Sequence, residues 1–108
     1  MTTVLLIEDD LDQLQIRTLI FERSGYIVRA AQTASDALQL VAGSDVIVMD
    51  LRIPQFEDGL RLIECLNRRS PIVVLTGDET ERHLDVDLQL FKPCPSAVLL
   101  DAVARLTK

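Results

Sequence analysis

A doubly wound α/β domain, with a five-stranded parallel sheet and helices on both faces, is what this 108-residue chain predicts. Three observations carry that prediction. The runs Val4-Leu5-Leu6-Ile7, Val46-Ile47-Val48-Met49 and Ile72-Val73-Val74-Leu75 are apolar without alternation, which is how strands buried on both faces of a parallel sheet read. The segments between them carry apolar residues at helical spacing, so strand and helix patterns alternate along the chain. Two of the runs end on acid, the first on Glu8-Asp9-Asp10 and the second on Asp50. In an open α/β sheet, ligands bind beyond the carboxyl ends of the strands, so these carboxylates stand where chemistry is expected.

Val4–Ile7 is the first strand. From Asp12 to Arg23, the residues Leu14, Ile16, Leu19, Ile20 and Phe21 follow an imperfect helical stripe; Asp10 or Asp12 caps it and Ser24-Gly25 ends it. Tyr26–Ala31 reads as a more polar strand nearer an edge. Thr33-Ala34-Ser35-Asp36 opens a short helix to about Val41, with Gly43 just past its end. The strand ending at Asp50 is followed by Pro54 and by Asp58-Gly59, read as a loop leading into a helix on Leu60, Leu62, Ile63 and Leu66 that stops near Arg68 to Ser70. Pro71 introduces Ile72–Leu75, which stops at Thr76-Gly77. The stretch from Gly77 to His83 is polar with no helical stripe. Leu88–Phe91 is a short last strand ending at Lys92-Pro93, and Ala97, Leu99, Leu100, Val103, Ala104 and Leu106 form a terminal helix. Right-handed crossovers bring the carboxyl ends of all five strands to one edge.

The length is that of one domain over 1–108, and 48% apolar content with few aromatics leaves the core to Leu, Ile and Val. A net charge of −6 argues against nucleic acid, whose affinity rests on Lys and Arg neutralising phosphates. Cys65 and Cys94 lack zinc spacing and suggest no disulfide framework. No run approaches membrane-spanning length, and Met1-Thr2-Thr3 before a strand resembles no signal peptide, so a cytoplasmic location is expected.

Four strand ends deliver chemistry to one edge: Glu8-Asp9-Asp10, Asp50, Thr76 and Lys92. Clustered carboxylates repel one another and call for a hard divalent cation, for which Mg²⁺ is suited. A lysine adds fixed positive charge and a threonine an O–H donor, a set that fits phosphoryl transfer. A carboxylate can itself be the nucleophile, and Asp50, alone on its strand, is the candidate phosphoacceptor.

In these features the chain resembles the receiver domains of two-component response regulators, the CheY-like fold. The resemblance rests on Ile7-Glu8-Asp9-Asp10, Asp50, Thr76-Gly77 and Lys92-Pro93, in that order at successive strand ends, and runs from about Val4 to Leu106. It implies that Asp50 accepts a phosphoryl group from a sensor histidine kinase or a histidine phosphotransfer protein and signals to a downstream protein partner. It further implies Mg²⁺ held by Asp9, by Glu8 mainly through water, by Asp50 and by the backbone carbonyl of Arg52. Lys92 would pair with the acceptor or the phosphoryl oxygen, Thr76 would bond the phosphoryl group, Gly77 would leave its route open, and the bond before Pro93 would be cis.

Three departures from the family stand out. One extra residue lies between Pro54 and Asp58-Gly59. Only sixteen positions separate Thr76 from Lys92, room for about one helical turn around Thr80 to Leu84 where the family has a full helix. Gln89 occupies the position of the family's switch aromatic, three before the lysine, while Phe91, adjacent to Lys92, points to the opposite face of the strand from it.

Plainer readings sit beside these. His83 is an exposed polar side chain, Cys65 packs on its helix, and Arg52 and Asp78 are surface residues or tune the lifetime of a phosphoryl group. Cys94, between two prolines, is a packing residue or a reactive thiol. A phosphorylation-independent receiver-like binding module is the alternative function. A phosphatase of the haloacid dehalogenase type, suggested by Asp10-Leu11-Asp12, lacks the threonine that should follow and leaves Asp50 without a role; turnover catalysis is not expected.

Overall fold

The computed structural model describes residues 1–66, 69–77 and 84–108. Five strands form one all-parallel sheet: β1 (Thr3–Ile7), β2 (Ile27–Ala31), β3 (Val46–Asp50), β4 (Ile72–Thr76) and β5 (Leu88–Phe91). Their spatial order is β2-β1-β3-β4-β5. Every residue of β1, β3 and β4 is buried, whereas β2 and β5 are largely open. The unbroken apolar runs are thus central strands and the more polar Ile27–Ala31 is an edge, as its composition predicts.

Alternation along the strands divides the core in two. Leu5, Ile7, Ile47, Met49 and Val74 pack with α2 (Ala34–Leu40) and α3 (Phe56–Leu66). Val4, Leu6, Val48, Val73 and Leu75 pack with α1 (Leu11–Arg23) and α4 (Ser96–Leu106). Helices therefore cover both faces, the doubly wound arrangement. Four helices are present among the described residues, fitting a shortened region between β4 and β5. Asp78, His83 and most of the expected single turn lie outside the described residues; Leu84 is buried against the α2–α3 side of the sheet.

Local signals explain most boundaries. Of the two candidate caps for α1, Asp10 does the work, its Oδ1 accepting from the N–H groups of Asp12 (3.0 Å) and Gln13 (3.3 Å). Thr33 caps α2 through Asp36 N–H at 3.1 Å. That helix ends at Leu40, where Arg29, reaching over from β2, donates to the carbonyls of Leu40 (3.2 Å) and Ala42 (2.6 Å).

The start of α3 differs from expectation. Asp58 and Gly59 lie inside the helix rather than in the loop before it. Asp58 Oδ2 accepts from the Gln55 N–H at 3.1 Å, the carboxylate half of a capping box. Gly59 faces the backbone of Leu51: a Cβ there would stand 1.8 Å from the Leu51 carbonyl oxygen. The glycine is needed for close approach of helix to strand. The Ile53–Pro54 and Lys92–Pro93 bonds are both cis. Cys65, expected to pack, is exposed, because Leu62, Ile63 and Leu66 take the buried stripe. Among the described residues no helix is long and apolar enough to cross a membrane.

Candidate functional site

Because β1, β3, β4 and β5 are consecutive neighbours in the sheet, their carboxyl ends form one continuous edge. Between β1 and β3 the winding reverses direction, the place where open α/β sheets leave a crevice. A groove of about 860 Å³ opens there, and Glu8, Asp9, Asp50, Arg52, Gly77 and Lys92 all line it. These six candidates are therefore brought together. Thr76 is not among the lining residues; it is buried at the end of β4, and its carbonyl accepts from the Lys92 N–H at 2.8 Å. Gln89 stands apart on β5. The β5 register pairs Gln89 with Val74 and Phe91 with Thr76, so Gln89 and Phe91 share the face opposite Leu90.

Asp50 is the centre of the groove. It ends β3, its side chain is only 8% exposed, and both oxygens are engaged. Lys92 Nζ bonds Oδ2, and the Arg52 backbone N–H donates to Oδ1 at 3.0 Å. A buried carboxylate held by an ammonium and a backbone donor is fixed in orientation, with a partner that offsets its desolvation.

Glu8 lies next to it in a less comfortable state. Burial, then the charge of Asp50, push its carboxyl up to about 7, against the lowering effect of Arg17 and Lys92. Oε1 pairs with Arg17 Nη1 at 3.4 Å, while Oε2 is buried and, among the described residues, without a hydrogen-bond partner. An orphaned carboxylate oxygen beside two further acids is what a hard cation satisfies, so the residues present fit such an ion. Among the described residues no group of three or more His, Cys, Asp or Glu side chains is arranged to hold a metal ion by itself. The fit is therefore to an ion that takes one or two carboxylates and completes its shell with water and phosphate oxygens, as Mg²⁺ does.

Asp9 is exposed at the lip. Asp10 and Asp12, the pair that suggested a phosphatase, do not form a site: Asp10 is committed to capping and Asp12 is exposed in the first turn of α1. Burial pushes the Cys94 thiol up, away from the thiolate that reactivity requires. Among the described residues nothing stands within 4 Å of where a Gly77 Cβ would be.

Arg17 is the site residue that sequence reasoning missed. A signal was available: it lies three positions after Leu14 and four before Phe21, the two buried residues of α1, and so shares their inward face.

The family model for the response regulator receiver domain matches residues 4–104. The transcriptional regulatory protein CpxR of Escherichia coli K12 is 28% identical over 93 residues, which are 82% of this chain and 40% of CpxR. The chain thus spans well under half the length of that relative. Similar solved structures include a CheY-like receiver domain from Methylobacillus flagellatus, with a TM-score of 0.85 at 22% identity over 98% of both chains. The receiver domain of the Francisella response regulator 1452 gives 0.82 at 24% identity, covering 99% of this chain and 97% of that one. At such identities the two structures speak for the fold.

Proposed function

This chain belongs to the response regulator receiver domain family, and from that membership together with the groove we propose that Asp50 accepts a phosphoryl group from a histidine kinase or phosphotransfer protein. The observation that carries the reading is Asp50 itself, buried at the end of β3 with its two oxygens held by Lys92 and the Arg52 N–H. In the transfer, a carboxylate oxygen of Asp50 bonds to phosphorus as the phosphorus–nitrogen bond of the donor's phosphohistidine breaks, and the imidazole keeps the electron pair. Lys92 and the Arg52 N–H orient the nucleophile before the donor arrives, and Lys92 offsets charge on the transferred oxygens. Mg²⁺, which Glu8, Asp9, Asp50 and the backbone carbonyl of Arg52 would hold, supplies further neutralisation of phosphoryl charge when bound. Thr76 donates its hydroxyl to the phosphoryl group, and Gly77 keeps the approach open. Residues 1–108 act as a single, cytoplasmic receiver unit that signals by changing its contacts with a downstream protein.

Intact mass after incubation with acetyl phosphate and Mg²⁺ tests this, with Asp50→Asn alongside. One phosphoryl adduct is expected, absent from the variant and after chelation. Gln89, at the position of the family's switch aromatic, favours a second reading, a receiver-like module that binds its partner without phosphorylation. Folded protein that binds Mg²⁺ but takes no adduct from acetyl phosphate or from a kinase would select that second reading.

A further inference from the structure

Arg17 places a permanent positive charge on the inward side of α1, between the turns that carry Leu14 and Phe21. Leu14 and Phe21, its helical neighbours on that face, are buried, and its own side chain is only 14% exposed. The guanidinium lines the groove and stands 3.4 Å from Glu8 Oε1. Among the interactions of the described residues, the groove holds the pairs Lys92 with Asp50 and Arg17 with Glu8. The first orients the proposed nucleophile. The second occupies one oxygen of a carboxylate whose other oxygen has no hydrogen-bond partner among the described residues. A guanidinium suits such a half-buried post better than an ammonium, because it is more weakly hydrated and stays charged at any physiological pH.

We propose that Arg17 is a tethered competitor of the divalent cation for Glu8: it balances the charge of the cation-free groove and thereby weakens the ion's hold on it. The inference rests on the reading of Glu8 as a metal-site residue. Arg17 is a positioning residue, acting on the ion through Glu8. Linkage makes the competition reciprocal, since an ion that draws Glu8 to itself loosens Arg17 by the same factor.

Calorimetric titration with Mg²⁺ alone tests it, using wild type, Arg17→Met, Arg17→Lys, Glu8→Gln and the Glu8→Gln/Arg17→Met double variant. Arg17→Met should bind Mg²⁺ roughly tenfold more tightly, within the usual range of site-to-site coupling. Arg17→Lys, which keeps the charge, should fall between the two. In the Glu8→Gln background the Arg17→Met effect should largely vanish, as a double-mutant cycle requires of a direct pair. An unchanged or weaker affinity in Arg17→Met overturns the proposal, and so does an equal gain in both backgrounds, which would mean bulk charge rather than competition. Should Arg17→Met fail to fold, the wild type still decides. The Nε–H resonance of Arg17, identified by its loss in Arg17→Lys, must move as Mg²⁺ saturates the site, and a resonance that stays put overturns the proposal. Wild type that binds no Mg²⁺ would remove the metal-site reading itself, whereas binding that ignores Arg17 removes the competition alone.

Discussion

Asp50 and Lys92 form a pair in which removing one member is worse than never having had it. Lys92→Met leaves a carboxylate buried beside Glu8 with, among the described residues, the Arg52 N–H as its remaining donor. Losing a partner in a fully buried pair costs about 3–5 kcal/mol, but the Lys92 side chain is 36% exposed, and solvent screens part of that. Urea denaturation should therefore show a loss of about 1–2 kcal/mol, and adding Asp50→Asn to Lys92→Met should recover part of it. Glu8 makes a prediction of its own. Its carboxyl titrates near 7 in the folded chain against an ordinary 4.5, so the folded state keeps a proton that the unfolded chain releases. The associated stability is complete below about 4.5 and is lost as the pH rises through about 7, on the order of 3 kcal/mol at most. In chelator, the wild-type protein should lose stability relative to Glu8→Gln between about pH 5 and about pH 8. A difference that stays flat across that window would remove the raised titration.

At the scale of elements, Gly59 sets two local effects against each other. Alanine is better than glycine inside a helix by about 1 kcal/mol. The same methyl would lie 1.8 Å from the Leu51 carbonyl oxygen, and backbone cannot yield as a flexible side chain can. Overpacking of this kind costs about 1–3 kcal/mol or more, so Gly59→Ala should destabilise the fold in thermal or chemical unfolding despite its better propensity. This is also why the start of α3 was not legible in sequence. A proline followed by Asp-Gly is a loop by every local rule, and the reason for the glycine is a contact with a strand end eight residues back. The buried strands were legible because a parallel sheet covered on both faces leaves no alternation to misread. The stripe of α1 was imperfect for a visible cause: Ile16 and Leu19 are about half exposed, while Arg17 turns inward.

For the molecule as a whole, strand order does most of the functional work. Asp50, Glu8 and Lys92 are as far as 84 positions apart in sequence, yet the order β2-β1-β3-β4-β5 makes their strand ends neighbours. That much could be foreseen, since each side chain follows an apolar run and parallel strands end together. What could not be foreseen was how the side chains pair once there. The acids of the first strand end look alike in sequence, but one is buried and paired with an arginine, one is exposed, and one caps a helix. Those fates depend on which face of α1 meets the sheet.

Arg29, described above as closing the end of α2, has a further consequence for solubility. Strand β2 lies at the edge of the sheet with Ile27 45% exposed. Without its arginine the strand would read Ile-Val-x-Ala-Ala, an uncharged apolar segment with a free row of backbone donors and acceptors. Edges of that kind recruit other chains, and a charge on them is the common safeguard. Arg29→Ala should thus do more than release two helix-end carbonyls. On mild heating it should shift the protein towards β-rich aggregates detectable by light scattering and thioflavin fluorescence, at temperatures where the parent chain stays dispersed.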